Sequence, residues 1–276
     1  MISKADCRLI SNMLIKNSPY NLYLLPHKLL KPYISNYTIS FPEQGMVSNT
    51  LTLIPDASGT LTFAFDGNTI SSELWGATTK TATIGSEAND YAMMLFVEFL
   101  PCGLYQLTGI DQIELANARL PLQDVNRALQ IRICEVLEQA KSIAELVSQL
   151  NNIFLSLMVC TEWVGIAQGA IGKIIDSNGL ITVKEFSASL YYSERHVNRI
   201  FSECVGMNVK AFSRLVRINN AIRLLQRPQT SLMRVALESG FYDQAHFTND
   251  FKAICNVTPD CYTKNMSDFY NETLKL

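Results

Sequence analysis

The first hundred residues alternate between short apolar runs and turn-forming pieces. Pro55-Asp56 and Asp66-Gly67-Asn68 are two of the turn-forming pieces. Short strands at close spacing predict a small β-barrel or sandwich. The runs that we interpret as strands are rich in β-branched and aromatic residues and cover 51–55, 60–65, 70–75, 81–84 and 92–99.

The apolar residues change to helical spacing after Pro101-Cys102-Gly103. From Leu122 they form two successive stripes with the period of an α-helix, which predicts a helical hairpin over 122–160. The first stripe contains Val125, Leu129, Ile133, Val136 and Leu137, and the second contains Ile143, Leu146, Leu150, Phe154, Leu155 and Met158.

A domain boundary is expected near Gly165 to Gly169, and the chain beyond it reads as helical. We therefore predict an α+β chain with an N-terminal domain at 1–165 and a C-terminal all-α domain at 166–276. Helix-ending signals support the second domain. They are Ser193 and Asp243 as N-caps, Gly206 as a C-cap, and Pro228 as the close of a long helix that begins near Val209.

Composition fits two packed domains, and charge is uneven between them. The chain has 276 residues, of which 48% are hydrophobic and 17% charged, with a formal net charge of −2. Residues 1–169 hold ten Lys/Arg against fifteen Asp/Glu, whereas residues 170–264 hold twelve against eight. The C-terminal third is therefore mildly basic, as phosphate binding requires.

Cysteine usage and hydropathy predict a cytoplasmic protein without a membrane span. No C-x-x-C pair occurs, so we expect reduced, mostly buried thiols. The N-terminal sequence lacks the apolar core of a signal peptide, and no apolar run reaches the roughly 18 residues of a span. The seven cysteines are Cys7, Cys102, Cys134, Cys160, Cys204, Cys255 and Cys261.

An internal repeat appears when the C-terminal third is compared with itself at a shift of 50 positions. TVKEFSASLYYSERHVNRIFSECVGMNVKAFSR, from Thr182, then matches LMRVALESGFYDQAHFTNDFKAICNVTPDCYTK, from Leu232. The paired positions are Ser189 with Ser239, Tyr191 with Phe241, Tyr192 with Tyr242, Ser193 with Asp243, His196 with His246, Val197 with Phe247, Phe201 with Phe251, Phe212 with Tyr262 and Arg214 with Lys264.

Each copy has the pattern of a helix-turn-helix. A short helix, a turn and a capped second helix with apolar residues at matching places are typical of units that enter the major groove. Two units joined by one long helix would present two recognition helices to one DNA face, about 34 Å apart. The alternative is a helical repeat that only packs against itself.

The C-terminal hundred residues resemble the DNA-binding domain of AraC/XylS-type transcription regulators. The motifs that carry the resemblance are SERHVNRIF from Ser193, SRLVRINNAIRLL from Ser213 and ALESGFYDQAHFTNDFKAICNVTPDCY from Ala236. More loosely, LIPDASGTLTFAF, ELWGATTKTATI and FVEFLPCGLYQLTGI resemble the regulatory domain often attached to this module. That second resemblance implies a cupin-like β-barrel followed by helices.

The resemblance implies DNA-contacting residues in the first unit. Arg195, Asn198 and Arg199 share one face of the recognition helix, where Arg suits guanine and Asn suits adenine. His196 lies on the neighbouring edge, and packing, phosphate contact and base contact all stay open for it.

The second unit departs from the family pattern. The matching positions are Ala245, Thr248 and Asn249, with Gln244 at the helix start. A basic residue is common in the family where Asn249 stands, and Asp250 adds a negative charge. We therefore expect the first unit to dominate sequence preference.

The linker helix offers Arg214, Arg217 and Arg223 for phosphate contacts, although solvated or packed arginines are the alternative. We interpret the apolar positions of both units and the linker as core without chemistry. They are Leu190, Val197, Ile200, Phe201, Phe212, Leu215, Ile218, Ala221, Leu224, Leu225, Phe247 and Phe251.

Signatures of enzymes are missing, so no catalytic residue, cofactor or metal is predicted. Asp56 and Ser58 are interpreted as turn residues and Trp75 as core, in preference to a pocket that Trp75 and Tyr105 would line. Cys102 is a weak candidate nucleophile.

We predict a sequence-specific DNA-binding transcription regulator whose partner is double-stranded DNA. RNA polymerase, a small-molecule effector and a second copy bound through the hairpin are further candidate partners. The alternatives are a β-barrel enzyme or DNA-repair protein carrying the same module, and a protein-interaction scaffold without DNA affinity.

Overall fold

A computed structural model describes residues 2, 13–17, 20–43, 47–48, 50–158, 162–227, 230–266 and 269–270. The N-terminal part is rich in β-sheet and the C-terminal part is helical. The predicted α+β class is confirmed.

The N-terminal strands form a seven-stranded antiparallel sheet and a three-stranded sheet. The large sheet has the order β1-β2-β3-β8-β5-β6-β9 and the small one β10-β4-β7, in which β10 runs parallel to β4. The strands are β1 (Leu14–Asn17), β2 (Asn21–Leu24), β3 (Ile34–Ser40), β4 (Thr52–Leu53), β5 (Thr60–Phe65), β6 (Ile70–Trp75), β7 (Ala82–Thr83), β8 (Met93–Phe99), β9 (Arg119–Pro121) and β10 (Phe269–Tyr270).

The two faces of the large sheet have different roles because side chains alternate along a strand. One face is apolar and buried against two helices. Its residues include Tyr37 and Ile39 on β3, Leu61 and Phe63 on β5, Leu74 on β6, and Leu95 and Val97 on β8. The intervening residues line a cavity on the other face.

The predicted hairpin is present as α3 (Leu122–Gln139) and α4 (Ile143–Leu157). Its apolar stripes, with Leu129, Ile133 and Leu150 fully buried or nearly so, pack into the core beneath the sheet. The buried members of these stripes are therefore unavailable to a second copy, and dimerisation through the hairpin stays a prediction. Cys160, at the predicted end of the hairpin, lies outside the described residues.

The remaining helices precede the hairpin or build the C-terminal part. Near the N-terminal sheets lie α1 (Gly103–Thr108) and α2 (Gln112–Leu115). The C-terminal part contains α5 (Glu162–Asp176), α6 (Val183–Leu190), α7 (Glu194–Val205), α8 (Val209–Leu225), α9 (Leu232–Glu238), α10 (Gln244–Cys255) and α11 (Pro259–Lys264).

The predicted domain boundary between residues 165 and 166 falls inside helix α5. The boundary itself stays a prediction. Its residues Ala167, Ala170 and Ile174 pack with α7 and α8 in one cluster. The long helix begins at Val209 as predicted and ends at Leu225, whereas Pro228 lies outside the described residues.

Core positions predicted in the helical part are confirmed. All twelve are buried except Leu190, which is half-buried against the same cluster as Phe186.

No single helix in the described part of the chain is long and apolar enough to cross a membrane. Helices α4 and α5 reach that length and hydropathy only as a pair, which is bent by 117°.

Candidate nucleic-acid interface

Helices α6 and α7 form the first helix-turn-helix, and local capping fixes both ends of α7. The Ser193 hydroxyl accepts a hydrogen bond from the His196 backbone N–H at 3.2 Å. Gly206 ends the helix in the left-handed region, with φ of 83°, as a glycine C-cap does. The inner face of α7 is buried through Val197, Ile200 and Phe201, so the polar residues lie on its outer face.

Helices α9 and α10 form the second unit with the same logic. The Asp243 carboxylate accepts a hydrogen bond from the His246 backbone N–H at 2.7 Å. Phe247 and Phe251 are buried, and the Phe251 ring packs edge-on against Tyr262 on α11. Both predicted recognition helices are therefore confirmed as capped helices with an apolar inner face and a polar outer face.

The turns of the two units differ by one residue, so the ungapped alignment is wrong within the turn. Its left-handed residue is Tyr191, two positions before the cap, in the first unit and Gly240, three positions before the cap, in the second. Consequently Tyr191 is 97% exposed, whereas its aligned partner Phe241 is buried. The ring that contacts the histidine is Tyr192 on His196 but Phe241 on His246.

The structure places most of the predicted DNA-contacting residues on the outer faces of α7 and α10. Half-buried positions are His196, Asn198 and Thr248, together with Arg214 and Arg217 on the linker helix. Exposed positions are Arg195, Arg199, Gln244, Ala245 and Asn249.

Arg199 on the first recognition helix contacts two neighbouring side chains. Its guanidinium lies 4.7 Å from the centre of the Trp163 ring and 3.0 Å from a carboxylate oxygen of Glu203. Its side chain nevertheless remains 46% exposed. Trp163 on α5, which sequence reasoning did not connect with the site, therefore orients a predicted base-contacting residue.

Asn198 is occupied inside the domain. Its amide nitrogen donates to the Glu194 carbonyl at 3.1 Å, and its amide oxygen accepts from the Val209 N–H at 3.2 Å. The second bond ties α7 to the first turn of α8. Base contact by Asn198 stays a prediction.

The Asp250 charge, expected to weaken the second unit, is paired. Arg214 donates two hydrogen bonds to its carboxylate, at 3.0 Å and 2.8 Å. This bidentate pair joins the linker helix to the second recognition helix. The physical effect of Asp250 is thus to anchor Arg214 as well as to add negative charge.

Arg217 is drawn into the domain. Its guanidinium lies 4.9 Å from the centre of the Phe241 ring and donates to the Gly240 carbonyl at 3.5 Å. Burial lowers the pKa of Arg217 from its ordinary value. These contacts favour packing of the second turn over a phosphate contact.

A separate cavity of about 440 Å³ lies in the N-terminal part. Trp75, interpreted as a core residue, lines it, as do the turn residues Asp56 and Ser58. The interpretation of Trp75 as a core residue was wrong, because on β6 the side chain of Leu74, and not that of Trp75, points towards the hairpin core. Tyr105 packs elsewhere, against the cluster beneath α7.

Cys102 lacks the setting of a catalytic nucleophile. It is 3% exposed, and contact with the Cys204 thiol together with burial raises its pKa. A reactive cysteine needs the opposite, an exposed and electropositive setting. Within the described residues, no group of three or more His, Cys, Asp or Glu side chains could hold a metal ion.

Known protein families match both the N-terminal and the C-terminal part of the chain. Residues 186–265 match a family described as a helix-turn-helix domain. Residues 23–121 match a domain of unknown function, DUF6597.

Relatives in two bacteria each match about a quarter of the chain. An uncharacterized HTH-type transcriptional regulator of Haemophilus influenzae is 38% identical over 69 residues, which are 25% of this chain and 23% of that protein. A probable transcription factor of Proteus vulgaris, PqrA, is 36% identical over 74 residues, 27% of this chain and 61% of that protein. The matches thus span less than two thirds of these relatives.

Solved structures resemble the chain at low overall similarity. A Chromobacterium violaceum transcriptional regulator with an AraC-type DNA-binding domain has 20% identity and a TM-score of 0.34, covering 37% of this chain and 94% of that one. ToxT from Vibrio cholerae has 14% identity and a TM-score of 0.41, covering 79% and 94%.

Proposed function

Since residues 186–265 match a helix-turn-helix domain family, we propose that the chain is a sequence-specific DNA-binding transcription regulator. The observation that carries the proposal is the duplicated unit, in which two capped helices, α7 and α10, bury an apolar face and expose polar residues. The long helix α8, buried along much of its length, connects them.

Base reading rests on the exposed residues of the first turns. Arg195 and Arg199 have the donors that guanine O6 and N7 accept, and Gln244 can pair with adenine. Ala245 suits a thymine methyl group, and Thr248 and Asn249 lie beside it. His196, Asn198, Arg214 and Arg217 are assigned to positioning these residues, because each is half-buried and makes contacts within the domain, whereas Arg199 makes such contacts but stays exposed.

The test is a DNA-binding titration repeated across salt concentrations. Fragments are first selected from genomic DNA by the purified chain. A specific binder loses affinity steeply as salt rises, because lysine and arginine contacts release counterions. Salt-independent retention of DNA, or no selection of any sequence, contradicts the proposal and favours the scaffold alternative.

Arg199→Ala sharpens this test. We expect the substitution to cost about 1–3 kcal/mol on the selected site and to relax one base preference. Lys141→Ala, in the exposed connection between α3 and α4, is the matched control and should leave affinity unchanged. An equal loss on all sequences would assign Arg199 to a phosphate.

Control by a small molecule forms the second clause of the proposal. The cavity supports it, because a volume of about 440 Å³ falls within the range of ligand sites. Such control requires the ligand to bind two states with different affinity. Contact with RNA polymerase and a cytoplasmic location stay predictions.

A further inference from the structure

We propose that the cavity binds an organic cation, an ammonium group carried on an apolar or aromatic body. The inference deepens the proposed control by a small molecule and rests on it for its regulatory meaning. The chemistry of the cavity wall carries the choice of ligand class.

The alternation of the large sheet places carboxylates on the cavity side. Glu98 on β8 faces the cavity between hydroxyl-bearing strands, and Thr60 donates to its carboxylate at 2.7 Å. Asp56 faces it from the turn after β4, where it accepts from the Ser58 N–H at 2.9 Å. Both residues are over nine-tenths buried.

Acidic side chains outnumber basic ones among the lining residues that the structure describes. Among the described lining residues, Asp56, Glu73 and Glu98 are acidic and Arg119 is basic. Arg119 is engaged at the edge, where its Nε lies 2.7 Å from Glu73 Oε2. A carboxylate ligand would therefore enter a wall of its own sign, whereas an ammonium ligand gains from an uneven charge in a partly desolvated site.

Aromatic rings complete the site for a cation. Tyr23, Trp75, Tyr91 and Phe96 all line the cavity. Ring faces attract ammonium and guanidinium groups, more strongly when water is excluded. Trp75 already does so here, because the Arg119 guanidinium lies 4.8 Å from its ring centre.

Hydroxyl groups supply directional acceptors for the N–H bonds of the ligand. Thr38 on β3 and Thr60 and Thr62 on β5 lie on the same side of the sheet as Glu98. Apolar residues such as Leu53 and Met94 cover other parts of the wall. A primary amine with a hydrocarbon or aromatic body matches this mixture, and a polyanion does not.

The test compares three probes with one carbon skeleton on the full chain without DNA. The probes are 4-phenylbutylamine, 4-phenylbutanol and 4-phenylbutyrate, and binding is measured by calorimetry and by the shift in unfolding temperature. We expect the amine to bind at least about tenfold more tightly than the alcohol, and the carboxylate more weakly than both. Equal or tighter binding of the carboxylate, or no binding of the amine, overturns the proposal.

Glu98→Gln tests the assigned residue. We expect the variant to lose about tenfold in amine affinity and to keep the affinity for the alcohol, since shape is preserved and charge removed. Glu135→Gln, on the exposed outer face of α3, is the matched control. Unchanged amine affinity in a folded Glu98→Gln protein contradicts the role of Glu98; if the variant does not fold, the probe comparison on the unsubstituted chain still decides.

The two proposals fail separately. Because the probes are measured without DNA, loss of DNA binding leaves this result intact. Adding the amine to the DNA titration then measures regulation: amine binding without a change in DNA affinity keeps the cation site and removes its regulatory meaning.

Discussion

A bulky residue in the left-handed backbone region lies at the candidate interface. Tyr191 ends α6 with φ of 60° and ψ of 26°, a conformation that glycine adopts without cost and bulky residues rarely adopt. Its ring is 97% exposed. Packing of the ring therefore does not compensate for the strained backbone.

Replacing this residue should separate stability from binding. We expect Tyr191→Gly to raise the free energy of unfolding by up to about 1 kcal/mol, because relief of the left-handed conformation exceeds the added entropy of the unfolded chain. The measurement is the urea midpoint at constant m-value, with DNA affinity recorded alongside.

Tyr192→Gly is the control for that prediction. Tyr192 stacks on His196 at 4.8 Å and donates to a Glu162 carboxylate oxygen at 3.1 Å. Its removal should destabilise the domain. A Tyr191→Gly midpoint that falls as far as that of Tyr192→Gly would show that Tyr191 is not strained.

At the scale of helices, the Arg214–Asp250 ion pair connects α8 to α10. It is partly exposed, with side chains 36% and 14% accessible. Exposed pairs contribute little, but bidentate geometry strengthens them.

The pair predicts a non-additive double-mutant cycle. We expect Arg214→Ala and Asp250→Ala to couple by about 1 kcal/mol in unfolding free energy, since each single change leaves the other charge without its partner. The same set should leave the salt dependence of DNA binding nearly unchanged. A slope that falls by about one charge in Arg214→Ala would instead reveal a phosphate contact.

The sequence predicted elements well where periodicity was strong. β5, β6, the hairpin helices and both recognition helices follow from alternation, helical spacing and caps. The strands β1 to β3 are not among the predicted strands, although Leu22 and Leu24 on β2 and Tyr37 and Ile39 on β3 alternate inward.

Site residues were harder to predict for a different physical reason. Periodicity gives the face of Arg199 but not its neighbour Trp163, which arrives from another helix. It also gives no partner for Asp250, thirty-six positions from Arg214. The cavity depends on which sheet face the hairpin covers, and a single alternating strand does not decide that.

At the scale of the molecule, one short segment belongs to both parts. Leu53, Ile54 and Asp56 line the cavity. Ile54 also packs with Ile218 and Ile222 of α8, and the Pro55 carbonyl accepts from the Asn219 amide at 3.1 Å. The residues of this segment that line the cavity are thus next to residues that contact α8, the helix that joins the two helix-turn-helix units.

Asn219→Ala should loosen both sides of this contact. We expect a loss of about 1–3 kcal/mol in unfolding free energy, because the buried Pro55 carbonyl loses its donor. Hydrogen exchange should quicken in peptides covering 53–58 and in those covering the middle of α8. Asn220→Ala, the half-buried neighbour, is the control; faster exchange in α8 alone would show that the segment is not coupled.

The parallel pairing of β10 with β4 has a mechanical consequence. Besides the backbone after α4 and the contacts of Ile54 and Asn219, a ladder pairs Phe269 with Thr52 and Tyr270 with Leu53 and so ties the C-terminal end of the described chain to the N-terminal part. A rotation of the helical part relative to the N-terminal part would therefore separate β10 from β4. Because Leu53 also forms part of the cavity wall, any movement that separates β10 from β4 would also change the rim of the cavity.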